Sequence, residues 1–427
     1  MRVLVYIFLP LLFLTSTLFN DNYYFHYCSL IATLFACMYC AKDINSKIML
    51  YFIFGYYGIS LLNISNYRGL ITDTGMYAFN LYLGAFVITN LLFSAKISSA
   101  LPSFTRVRAT KTGTFQLFML THVAISYATL ALVMVTTGNI FLNQDLRFNI
   151  PAWMGYIIRS PLPIIPILYF LPYSQRRKFC IVAMISLPSI LIGARGTVVS
   201  FVASYALLLT INLINNRRNR ETIKRSVFRS KKFLKIFGGS FLAFFVTIAS
   251  GFYIRRYNSQ VWSSAGDMAR EYFQSESIFV FIILPFYLAF KETTGLANQI
   301  INNNLALTSN IFFSDFYTLL PGSHDAAGKI FGDEVGRIGG GGLTPGIVGG
   351  LFLDYKYYGV LGMIILATAL SRSYAATVKH PKYAAVYAIL IFQFIHLFHR
   401  GFPKPEYVTF TIIALFYTAF FLRKNHA

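Results

Sequence analysis

Apolar runs of membrane-spanning length, separated by short basic connections, constrain this chain more than any other feature. A hydrocarbon core about 30 Å thick asks for about 20 predominantly apolar residues per helical crossing. Such runs recur at 3–19, 23–41, 48–66, 76–95, 115–137, 156–173, 179–194, 197–214, 235–254, 355–370, 384–399 and 406–422. With 56% of its residues hydrophobic and only 12% charged, the chain cannot clothe a soluble globule in polar surface. The expected fold is all-α: a polytopic integral membrane protein of about twelve transmembrane helices, within roughly ten to fourteen.

The net charge of +22 does not mark a nucleic-acid partner, because the basic residues punctuate apolar segments instead of lining one amphipathic face. Lys42 and Lys47, then Lys96, Arg106, Arg108 and Lys111, then Arg176, Arg177 and Lys178, then Arg372, Lys379 and Lys382 all fall on one side of the membrane under this count. By the positive-inside rule that side is the cytoplasm. The densest run, 215–235, carries nine Lys and Arg against Glu221 alone and reads as a cytoplasmic loop touching anionic headgroups of the membrane lipids. Both termini are then cytoplasmic. Residues 1–254 hold nine helices, 255–354 form one long extracytoplasmic loop region with interfacial helices, and 355–427 hold the last three. The run 277–290, broken by Pro285, is too short to span comfortably and is expected to be interfacial or re-entrant.

Cys28, Cys37, Cys40 and Cys180 lie in apolar runs, with no second Cys or His pair to answer the Cys37-x-x-Cys40 spacing, so packing is the expected role. The N-terminal run lacks a small-x-small cleavage signal and is read as a retained first helix. Nine of the fifteen acids, Asp267, Glu271, Glu276, Glu292, Asp315, Asp325, Asp333, Glu334 and Asp354, concentrate in 255–354 together with six basic residues and His324. A transporter usually needs ionisable groups near the membrane midplane, and here the apolar runs carry almost none. The loop region itself has enough aromatic and aliphatic residues to pack, and segments of this length are more often functional or disordered than mere connectors.

Three stretches resemble a known family. "GGGLTPGIVGGLFLDYKYYGVLGMI" at 340–364 is similar to the Thr-Pro, Gly and aromatic-Gly-x-Leu-Gly signature that closes the long extracytoplasmic loop of bacterial O-antigen or oligosaccharide repeat-unit polymerases. "GARG" at 193–196 resembles that family's Gly-Ser-Arg-Gly helix junction, with Ala194 in place of Ser, and "HRGF" at 399–402 resembles a late Arg-Gly. Gly349 and Gly350 stand where an acidic residue often precedes the last-loop helix.

The resemblance implies an enzyme of the bacterial inner membrane that moves a growing glycan from one polyprenyl diphosphate to the sugar of another. Its partners would be the polyprenyl-diphosphate-linked oligosaccharide donor and acceptor, membrane lipids and a chain-length regulator. No cofactor is expected. The glycine run 339–342 is not a dinucleotide loop, and no Asp-x-Asp stands near it to hold a metal diphosphate. The departing diphosphate then needs protein cations, for which the planar arginine fork is suited.

Arg195 sits at the tip of an apolar hairpin on the outer side, with Gly196 expected to permit the turn. Arg255, Arg256, Arg337 and Arg400 join it as candidate substrate-binding residues, with His399 beside Arg400. The acceptor hydroxyl needs a base, and a histidine titrates closer to working pH than a carboxylate beside arginines. His324 is the first candidate catalytic base, with Asp325 its orienting partner or rival. His122 reads as a buried polar group, and His396 shares a helical face with His399. Alternatives from other classes are a polysaccharide or small-molecule transporter and a glycan-modifying acyltransferase; an O-antigen ligase shares the same features.

Overall fold

The computed structural model describes residues 22–65, 67–95, 102, 107–138, 150–218, 270–271, 273, 278–307, 309–320, 325–335 and 343–424. They form a helical protein whose buried side chains merge into one principal core. In chain order the helices are α1 (Tyr23–Cys40), α2 (Ile44–Ser60), α3 (Asp73–Ala95), α4 (Thr112–Thr137), α5 (Ala152–Arg159), α6 (Ile164–Ile167), α7 (Gln175–Leu191) and α8 (Arg195–Arg218). There follow α9 (Ile278–Asn302), α10 (Ala327–Glu334), α11 (Gly346–Tyr355), α12 (Gly359–Lys379), α13 (Ala384–Arg400) and α14 (Pro405–Phe421). A two-stranded antiparallel ribbon, β1 (Val107–Ala109) with β2 (Leu422–Lys424), ties the segment before α4 to the end of α14.

Local chemistry sets several helix starts. Asn22 accepts a hydrogen bond from the Tyr24 amide, Asp43 from Ser46 and Ser174 from Arg177, each satisfying an otherwise orphaned first-turn donor at about 1 kcal/mol. Among the described residues five segments are long and apolar enough to cross a membrane, and Pro405–Phe421 is a shorter apolar helix. Of the twelve apolar runs, 3–19 and 235–254 lie outside the described residues.

The expected crossing at 156–173 is not one helix. It breaks into α5, α6 and a 3-10 turn at Leu168–Phe170, because Pro161, Pro163 and Pro166 withdraw amide donors and crowd the preceding turn. Apolar length alone does not reveal such a break. The run 277–290 differs in the other direction: α9 continues for 25 residues, past the apolar part and through Lys291 and Glu292 to Asn302.

At the centre, α3 packs against α1 and α12, α8 against α13, and α9 against the short α11. Residues 346–353 of α11 are all buried, so this ten-residue helix is enclosed by α9, α13, α12 and α3. Two buried polar groups show how the interior pays its hydrogen-bonding debts: Asn90 Oδ1 accepts from Asn45 Nδ2 at 3.2 Å and from Ser371 Oγ at 2.6 Å, and Tyr387 donates to Asn45 Oδ1 at 2.8 Å. A buried amide left without such partners costs several times what the bond contributes.

Candidate functional site

Two of the three stretches that stand out in the sequence meet in the structure. Gly346, which opens α11 at φ 66°, and Gly401, which closes α13 at φ 91°, approach so closely that a Cβ on Gly401 would lie 2.5 Å from the Gly346 carbonyl oxygen. A Cβ on Gly350 would lie 2.4 Å from the Gly401 oxygen. Only glycine tolerates both the left-handed backbone and this backbone-to-backbone contact. The "TPGIVGG" and "HRGF" stretches are therefore two halves of one junction, which Tyr57 reinforces by donating to the Phe398 carbonyl at 3.0 Å.

The third stretch is the α7–α8 turn. Its left-handed residue is Gly193, at φ 79°, and not Gly196, which lies in the first turn of α8. The Gly193 amide donates to the Ile190 carbonyl and the Ala194 amide to Ser189, the pair of bonds that closes a helix through a left-handed residue. Arg195 then begins α8. Two residues on, Thr197 lines a groove between α8, α13 and α14, whose walls include Ser200, Ser204, Gln393, His396, Glu406 and Tyr407 with Phe201, Phe392 and Phe410.

Two arginines contact residues that line this groove. Arg159, at the end of α5, forms a salt bridge with Glu406 in the first turn of α14, donates through Nε to the Gly155 carbonyl at 2.8 Å and lies over the Tyr156 ring. Tyr156 in turn shares a 2.8 Å hydroxyl contact with Thr318, fastening the 314–319 turn over α5. Arg400 donates through Nε to His396 Nε2 at 3.4 Å, and His396 Nδ1 lies 3.2 Å from the Tyr407 hydroxyl.

Lys404 follows in the short connection to α14. The Arg400 guanidinium, and after it burial, hold Lys404 below its usual value of 10.5, against the opposing pull of Glu406 and Asp315. Neither Arg400 nor Lys404 ion-pairs with a carboxylate among the described residues. Two cations that form no salt bridge, with carboxylates nearby but not paired to them, stand beside a largely apolar groove; cations so placed can receive an anion.

The structure thus places Arg195 and Arg400 on helix ends that flank one groove. His399, also a candidate, directly precedes Arg400 and is held from α2: its Nδ1 lies 2.8 Å from the Tyr56 hydroxyl. Asp325 is exposed, and Lys329 donates to its carboxylate at 2.6 Å one helical turn away. That pair raises the Lys329 ammonium above its usual range through the hydrogen bond and the attraction of Asp325, and leaves Asp325 engaged with a cation. His324, Arg255, Arg256 and Arg337 lie outside the described residues. His122, expected to be a buried polar group, is half-buried and hydrogen-bonded through both ring nitrogens, with Nε2 at 2.7 Å from Ser160 Oγ and Nδ1 at 3.3 Å from the Tyr417 hydroxyl.

Arg159, Lys404, Glu406 and Tyr407 were not singled out by sequence reasoning. The available signal was a charge, Arg159, inside an apolar run, together with the density of Pro, Lys and Glu after "HRGF". Comparison with protein-family models, curated proteins and solved structures finds no match.

Proposed function

We propose that this chain is a glycosyl-polymerising enzyme that joins polyprenyl-diphosphate-linked oligosaccharide repeats on the extracytoplasmic face of the bacterial inner membrane, with both termini in the cytoplasm. One observation supports the reading above the others. Two of the three stretches that resemble the polymerase family meet backbone to backbone beside Arg400, and the third opens α8, whose first turns line a groove with α13; Arg400 and Lys404 there have no salt bridge to a carboxylate among the described residues.

In the proposed reaction an acceptor hydroxyl attacks the anomeric carbon of the donor glycan. The bond from that carbon to the diphosphate oxygen breaks, its electron pair leaves with the diphosphate, and the hydroxyl proton passes to a base. Charge grows on the departing oxygen, so cations fixed at that position lower the barrier most. Arg400 supplies a planar fork and Lys404 a compact charge; Arg159 is neutralised by Glu406. The groove is lined mainly by apolar side chains, and its phenylalanines suit the apolar faces of sugar or lipid.

The test is deletion of the gene followed by gel analysis of surface polysaccharide, with complementation by wild type and by Arg400→Lys and Arg400→Ala. The expected result is single repeat units in place of polymer, restored by wild type and poorly by either variant. Absence of any exported repeat would replace this reading with a transporter, and full-length polymer left unattached would replace it with a ligase.

A further inference from the structure

Proton counting around His399 identifies its ring state. Thr293 Oγ1 lies 2.7 Å from the Phe290 carbonyl oxygen within α9, Tyr56 Oη touches Thr293 Oγ1, and His399 Nδ1 lies 2.8 Å from Tyr56 Oη. Each contact sets two electron-rich atoms at hydrogen-bond distance and needs a proton between them. The carbonyl has none to give, and the two hydroxyls have one each. Three contacts therefore draw two protons from the hydroxyls and the third from the ring, so Nδ1 of His399 carries a hydrogen. The bonds run in one direction: His399 donates to Tyr56, Tyr56 to Thr293, and Thr293 to the Phe290 carbonyl.

In a neutral imidazole with its proton on Nδ1, Nε2 keeps a free lone pair. Among the described residues no group donates to that nitrogen, and it is not among the enclosed atoms that lack a partner. The ring is half-buried at the end of α13, directly before Arg400. Its orientation is held from three helices: α13 carries it, α2 supplies Tyr56 and α9 supplies Thr293, both of which are buried.

From this geometry we infer that His399 accepts the proton of the attacking acceptor hydroxyl on Nε2, with Tyr56 and Thr293 as positioning residues that lock the ring in the Nδ1-protonated tautomer. The inference rests on the glycosyl-transfer reading for its substrate, an alcohol hydroxyl of a glycan, but the tautomer stands on the hydrogen-bond chain alone. As the new bond to the anomeric carbon forms, the hydroxyl proton moves to Nε2 and the ring becomes an imidazolium. The electron pair of the broken bond departs with the diphosphate, and the ring afterwards returns its proton to water or to that leaving group. A base whose lone pair is oriented from behind by a hydrogen-bonded partner works by the same logic as other histidine bases fixed through their second nitrogen. His324 and Asp325 are not needed for this step.

The experiment has two arms on the full-length protein in lipid bilayers. In the first, ¹⁵N-histidine spectra are recorded at a pH where the ring is neutral, with the His399 signals assigned by their loss in His399→Gln. The expected spectrum has a protonated Nδ1 and a bare Nε2, and Tyr56→Phe or Thr293→Val, which cut the chain at different links, brings in the Nε2-protonated tautomer. A wild-type ring protonated on Nε2 overturns the inference whatever the activity.

In the second arm, purified protein is assayed with lipid-linked repeat units. His399→Gln should lose roughly 10²- to 10⁴-fold in turnover, the usual contribution of a positioned base, and Tyr56→Phe about 10-fold, with the amount of folded protein followed by size exclusion. An active His399→Gln overturns the role of His399 as base. A wild type that extends no glycan overturns the glycosyl-transfer reading and the base role with it, and leaves the tautomer to be judged by the spectrum.

Discussion

Replacing Gly401 by alanine tests whether the α11–α13 junction depends on backbone contact. Gly401 adopts φ 91°, and an added Cβ would stand 2.5 Å from the Gly346 carbonyl oxygen, 2.9 Å from its carbon and 3.1 Å from its nitrogen. The left-handed backbone costs an L-residue about 1–2 kcal/mol, and forcing an extra methyl into packed structure costs about 1–3 kcal/mol more. These obstacles are backbone atoms, which cannot swing aside like a flexible side chain, so the combined cost should be about 3 kcal/mol, roughly a hundredfold in the ratio of folded to unfolded protein.

Gly196→Ala is the matched control, since a Cβ there meets nothing within 4 Å and the residue is helical. That change should be neutral or stabilising by about 0.5 kcal/mol. Both variants are heated in detergent and the surviving monodisperse protein is read by fluorescence-detected size exclusion. A Gly401→Ala protein as stable as wild type, or a Gly196→Ala protein as fragile as Gly401→Ala, would refute the assignment of the close approach to the first glycine and of free space to the second.

Glu406→Gln leaves Arg159, with a side chain only 17% exposed, without its partner. The expected loss is about 2 kcal/mol, somewhat below that of a fully enclosed pair, and Arg159→Gln combined with Glu406→Gln should recover part of it in the same thermal assay, because neither charge is then stranded. Lys404 has a lowered pKa in the folded protein, so between that value and 10.5 the unfolded chain binds more protons and folding is increasingly favoured as pH rises. Diphosphate binding needs the charged ammonium, so transfer activity should fall as pH rises through the lowered value. Lys404→Arg should shift that alkaline fall upward; an unmoved profile removes Lys404 from the binding site. Cysteines at Ser226 and Ser323, in a background without the native four, should differ in intact cells: an impermeant reagent should label position 323 and spare 226, and labelling at 226 would invert the topology.

Much of the helical character was legible in the sequence, because membrane-length apolar runs leave the backbone no alternative to internal hydrogen bonding. The starts of α1, α2 and α7 at Asn22, Asp43 and Ser174 are local too, a matter of one side chain reaching one amide. Composition and loop charge likewise determined the class of protein expected. Even the break at 156–173 was written in its prolines, though apolar length overshadowed them.

What only the tertiary structure decided is which distant residues meet. Nothing in the spacing of Tyr56, Thr293 and His399 foretells that α2, α9 and α13 will set them in one hydrogen-bonded chain. Asn45 and Asn90 meet Ser371 for the same reason. Arg159 finds Glu406 across nearly 250 residues of chain only because α5 ends beside the start of α14. Local propensity and hydropathy act within a few residues of one another, whereas a pairing of this kind is chosen by the packing of whole helices. The glycines at 346, 350 and 401 carry both kinds of information: each is visible as a residue without a side chain, but the closeness that requires it exists only once α11 is pressed against the end of α13.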